Sequence, residues 1–144
     1  YAGFSTAIAP GPVAAARCAT ELLASDPAPL ERLRANIALM REAFTAKGIS
    51  TLATHPEVPI LPVLIGDDAR ALKVGEALLE RGYFVHPIRP PTVPVGTARL
   101  RITVSAAHDP AELRAFVDTL ANLLRDRFHV KVDMPHYAES ITLQ

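Results

Sequence analysis

Apolar residues recur with a helical period in three stretches and with a strand period in one. Leu33, Ile37, Met40 and Phe44 follow at spacings of four, three and four, one apolar stripe on a helix. Asp26-Pro27 marks its start as an N-cap followed by proline at the first helical position, and Gly48 its end. Leu113, Phe116, Val117, Leu120 and Leu124 make a second stripe. Ahead of it Asp109-Pro110-Ala111-Glu112 reads as a capping box. A third helix is expected after Asp67, with Leu72, Leu78 and Leu79 inside and Gly82 as its stop. Residues 13–24 are helical on propensity, after an extended stretch with Pro10, Gly11 and Pro12.

Strand signals alternate with these. Ile60 to Ile65 is a short β-branched apolar run, and Tyr83 to Ile88 a second strand. In residues 98–105 Leu100, Ile102 and Val104 face one way while Arg99, Arg101, Thr103 and Ser105 face the other. The nine-residue loop 89–97 between the last two strands implies antiparallel pairing. The expected fold is α+β, a two-layer sandwich with a small antiparallel or mixed sheet, helices on one face and an arginine-bearing open face. Residues 128–144 carry no strong period, although His129 to Asp133 could pair as a short strand.

With 144 residues, the chain can bury about two-thirds of its unfolded surface, enough for one core. Hydrophobic residues are 49% and charged residues 21%, which excludes disorder. Fifteen cationic and fifteen acidic residues cancel, and no segment is markedly basic, so neither nucleic acid nor an anionic membrane is an expected partner. The single cysteine, Cys18, excludes an internal disulfide framework and fits a cytoplasmic location. No apolar run approaches ~18 residues and no signal peptide is visible. The histidines at 55, 86, 108, 129 and 136 have no metal-ligand spacing, so no metal is expected.

The loop and following strand, Arg89-Pro90-Pro91-Thr92-Val93-Pro94-Val95-Gly96-Thr97-Ala98-Arg99-Leu100-Arg101-Ile102, hold the chemistry. Three prolines fix backbone φ angles and hold Thr92 at small entropic cost. Arg101, on the polar strand face, offers a fork that matches a carboxylate. On these grounds alone, a solvated strand face and an ordinary surface turn are the favoured reading.

The stretch RPPTVPVGTARLRITVSAAH resembles the C-terminal signature of the α-oxoamine synthases, pyridoxal-phosphate enzymes of fold type I. Its form RPPTVP-x-GTARLR is most like that of the 8-amino-7-oxononanoate synthase branch. Phe4-Ser5-Thr6-Ala7-Ile8-Ala9-Pro10 is similar to the family's F-S-T-A-L-P-P segment, with Ala9 where a proline is usual. The resemblance covers residues 4 to about 125. It implies the small domain of an enzyme condensing an amino acid with an acyl-CoA, with a lysine Schiff base to pyridoxal phosphate as the electron sink.

By this resemblance Arg101 grips the amino-acid carboxylate and Thr92 contacts substrate near the acyl group. Ser5 and Thr6 reach the cofactor phosphate of the neighbouring subunit in a homodimer. Arg99 is expected in a structural ion pair, and His108 in support of the turn into the last helix. The family's Schiff-base lysine lies upstream of the F-S-T segment, and Lys47, Lys73 and Lys131 do not replace it. Residues 1–26 are thus expected to join a cofactor domain, residues 27–127 to form the small domain, and the tail 128–144 has no assigned role. The chain alone is expected to be inactive and to bind no cofactor. Other members of the family (serine palmitoyltransferase, glycine C-acetyltransferase, 5-aminolevulinate synthase), a free-standing non-catalytic binding module and an enzyme split over two chains are the alternatives.

Overall fold

A computed structural model describes residues 8–127 of the chain. In order these form α1 (Pro10–Ser25), α2 (Ala28–Ala46), β1 (Ile60–Gly66), α3 (Asp68–Leu79), β2 (His86–Ile88), β3 (Ala98–Thr103) and α4 (Pro110–Asn122), the last running into a π-turn over Leu123–Arg127. The sheet order is β1-β3-β2 and both pairings are antiparallel. Leu61, Val63 and Ile65 of β1 and Leu100 and Ile102 of β3 point to one face, where Ile37, Met40 and Phe44 of α2, Val74 and Leu78 of α3 and Phe116 and Leu120 of α4 close over them. Among the described residues no helix covers the opposite sheet face, so the two-layer α+β architecture stands as expected, with that face open.

Local signals set most element ends. The Asp26 carboxylate accepts from Ala28 N at 3.0 Å, but α2 starts one residue later than Asp26-Pro27 predicts: Pro27 takes the N-cap position and Ala28 is the first helical residue. Gly48, at φ +69°, closes α2: its N–H donates to Thr45 O and that of Ile49 to Phe44 O. The Asp67 carboxylate accepts from Arg70 N at 2.7 Å to cap α3, and the Asp109 carboxylate accepts from Ala111 N and Glu112 N to cap α4. Among the described residues Glu112 returns no bond to Asp109 N–H, so the capping box is half-made.

Four further expectations are corrected. Helix α1 begins at Pro10 rather than Val13, because the prolines at 10 and 12 lie in a first turn whose N–H groups need no intrahelical partner. In α3 Leu79 is 57% exposed and Leu72 half-buried; Ala71, Val74, Gly75 and Leu78 form the packed face instead. Strand β2 covers only three residues, because Tyr83 N–H donates to Leu78 O in the α3 terminus and its ring packs edge-on against Phe116, 5.3 Å between centroids. That pulls residues 83–85 off the ladder. Finally, β3 ends at Thr103, after which Val104 N–H is satisfied by Pro59 O. The possible strand from His129 to Asp133 and the tail 128–144 lie outside the described residues.

Candidate functional site

Strand β3 is central, so its outward residues sit in the middle of the open face. Arg101 faces Pro62 of β1 on one side and His86 of β2 on the other; Arg99 faces Leu64 and Ile88. Directly opposed residues of an antiparallel pair share a face. The open face is therefore an apolar bed of Pro62, Leu64 and Ile88, edged by Ile60, that carries Arg99, Arg101 and His86. None of the three strands contains a carboxylate. The ion pairs among the described residues, Arg17–Glu21, Arg34–Glu57 and Lys47–Asp118, all lie off this sheet.

The arginines differ in what they already hold. Arg99 Nε donates to Thr97 O at 3.0 Å and a terminal nitrogen to Thr97 Oγ1 at 3.1 Å. The expected ion pair is thus replaced by a hydroxyl and a carbonyl, since no acid lies on the face. Thr97 is fixed in turn, its hydroxyl donating to Pro94 O at 2.8 Å. The Arg101 guanidinium is exposed and has no partner among the described residues. Its five donors remain available for a planar anion.

Thr92 sits in the loop joining β2 to β3, where its N–H donates to Arg89 O at 3.0 Å across a cis Pro90–Pro91 peptide. Its side chain is exposed. Ser5 and Thr6 lie outside the described residues, as does Lys131. Lys47 is tied to Asp118 at 2.6 Å and Lys73 is on α3, so both belong to the helical layer, behind the sheet from Arg101. The described residues therefore offer a place for a planar anion at Arg101, and neither described lysine shares that face. No group of described His, Cys, Asp or Glu residues could hold a metal ion.

His108 supports its turn as expected, its Nδ1 accepting from Ser105 N at 3.2 Å. A residue outside the expected site secures this turn: Asn36 of α2, 5% exposed, donates from Nδ2 to Ser105 O and His108 O at 2.9 and 3.0 Å. A polar side chain on the apolar stripe of α2, four residues before Met40, was the available signal. His86 was likewise missed, because its meaning depends on strand register. A cavity of about 540 Å³ opens where residues 81–85 part from Ile102–Val104, and is floored by Met40, Leu113 and Phe116. It includes neither Arg101 nor Thr92.

No family model matches the chain. The 8-amino-7-oxononanoate synthase of Anaeromyxobacter dehalogenans is 46% identical over 121 residues, covering 84% of this chain and 30% of the relative. A serine palmitoyltransferase from S. paucimobilis, solved with a pyridoxal phosphate–myriocin aldimine, superposes with a TM-score of 0.72 at 28% identity, over 85% of this chain and 31% of that one. The 8-amino-7-oxononanoate synthase of Francisella tularensis shares the fold, with a TM-score of 0.71 at 20% identity over 85% of this chain and 35% of its own. The chain thus spans about a third of the length of the relatives it matches. Over most of its length, it is similar to one segment of the α-oxoamine synthases, pyridoxal-phosphate enzymes of fold type I, as the loop and strand residues indicated.

Proposed function

We propose that this chain is the C-terminal small domain of a pyridoxal-phosphate-dependent acyltransferase that condenses an amino acid with an acyl-CoA, of the 8-amino-7-oxononanoate synthase type in biotin synthesis. The observation that carries the proposal is Arg101: a guanidinium with no partner among the described residues, at the centre of a largely apolar sheet face whose strands hold no acid. Once a second domain covers that face and excludes water, a bidentate contact to a carboxylate strengthens. Holding the carboxylate there fixes the orientation of the amino acid's reacting bonds. Thr92, on the proline-stiffened loop, contacts the substrate near the acyl group. Ser5 and Thr6 reach the cofactor phosphate of the second subunit in a cytoplasmic homodimer. The cofactor supplies the electron sink; its lysine comes from outside this chain.

The reading predicts a T-x-x-K-containing stretch in the coding sequence shortly ahead of Tyr1. It also predicts that the enzyme so encoded releases CoA thiol from an acyl-CoA only when an amino acid is present, while residues 1–144 alone release none. A coding sequence without such a stretch, together with thiol release by the isolated chain, would sink it. The serine palmitoyltransferase type is a second reading, supported by the 28% identity to that enzyme, and a panel of amino acids and acyl-CoA lengths separates the two.

A further inference from the structure

The sheet register sets a second group beside Arg101. His86 and Arg101 are directly opposed across the β2–β3 ladder, so their Cβ atoms lie about 4.5–5.5 Å apart on the same face. Both side chains are exposed, and neither has a partner among the described residues. The backbone at His86 is well fixed for an edge strand. Pro87 follows it and holds it in the extended region, and the ladder partner on β3 is central. Two nitrogen-rich side chains placed together with no carboxylate on any of the three strands are poorly matched to each other, and an anion between them satisfies both.

We infer that His86 is a substrate-binding residue that donates a second hydrogen bond to the amino-acid carboxylate held by Arg101. This rests on the function proposed above. The arginine fork takes the carboxylate in its plane; the imidazole N–H approaches from the edge strand and fixes the tilt of that plane. His86 thereby favours amino acids over amines that lack the carboxylate.

The test uses the full-length enzyme that contains this chain, with the amino-acid dissociation constant read from the cofactor's spectral change. His86→Ala should weaken the amino acid about tenfold, as for loss of one hydrogen bond to a charged group, and leave the KM for acyl-CoA unchanged. His86→Gln, which keeps an N–H donor, should recover most of the loss. The amine lacking the carboxylate should bind wild type and His86→Ala alike. In the His86→Ala, Arg101→Ala double variant the loss should fall short of the product of the single losses, because both groups hold one anion. A purely structural role would move the thermal midpoint and spare the preference for amino acid over amine. If Arg101→Ala weakens the amino acid and His86→Ala does not, or tightens it, the inference about His86 is overturned while the carboxylate site stands. If Arg101→Ala has no effect, the carboxylate site and this inference fall together.

Discussion

Neighbouring residues on β3 have opposite work, and that makes them separable. Leu100 is fully buried between the sheet and its helices, whereas Arg101 next to it is exposed on the open face. Leu100→Ala should cost roughly 2–5 kcal/mol of stability, through lost burial and a residual cavity, seen as a lower urea midpoint at unchanged slope. Arg101→Ala should leave that midpoint within about 0.5 kcal/mol, as for an exposed side chain without a partner. Under the proposed function the order inverts in the full-length enzyme. Loss of the bidentate contact at 101 should weaken the amino acid by roughly 2–5 kcal/mol, about 30- to 5,000-fold in affinity. Arg101→Lys should recover only part of it, since an ammonium has no fork. Arg99→Ala removes a guanidinium already engaged by Thr97 and should cost about 1 kcal/mol of stability or less, with little change in affinity. Equal losses of affinity at 99 and 101 would refute the assignment to position.

The elements are held in register by a few polar contacts that cross between them, and Asn36 is the clearest. It ties the middle of α2 to the turn that follows β3, through Ser105 O and His108 O. Asn36→Ala takes the amide donor from His108 O and leaves Ser105 O with the His108 N–H at 3.3 Å, and should destabilise the chain by roughly 1–3 kcal/mol in urea unfolding. An unchanged midpoint would mean that water replaces the amide without cost. This contact also marks how far a sequence can be read. The stripe of α2, the caps at Asp67 and Asp109, and the in–out alternation of β3 depend on residues a few positions apart, and all are legible. The shortened β2 depends on Tyr83 reaching Phe116, and the pairing of His86 with Arg101 on a register between segments fifteen residues apart. Neither has a local signal. The same limit hid the fate of Arg99: its charge suggested an ion pair, but which residues share its face is a property of the sheet.

At the scale of the whole molecule α1 stands apart: none of its sixteen residues is buried. Ala15, Ala19, Leu22 and Leu23 recur at the spacing of one helix face, while Arg17 and Glu21, paired at 2.8 Å, occupy another. Leu22 and Leu23 are 63% and 56% exposed, which for large aliphatic side chains on a shared face is a surface made to be covered. Under the proposed function the cofactor domain of the full-length enzyme is the expected cover. By the same reading, pyridoxal phosphate should form no stoichiometric band that borohydride traps at one lysine of the 144-residue chain, because Lys47, Lys73 and Lys131 all lie outside the family's Schiff-base context and Lys47 is engaged by Asp118. The helix face should then find a second copy of itself. The 144-residue chain should sediment above monomer mass at high micromolar concentration. Leu22→Glu with Leu23→Glu should return it to monomer without lowering its thermal midpoint, because neither leucine belongs to the core. A clean monomer of the unaltered chain at that concentration would show that the face is tolerated in water. A variant that still associates would move the contact to another surface.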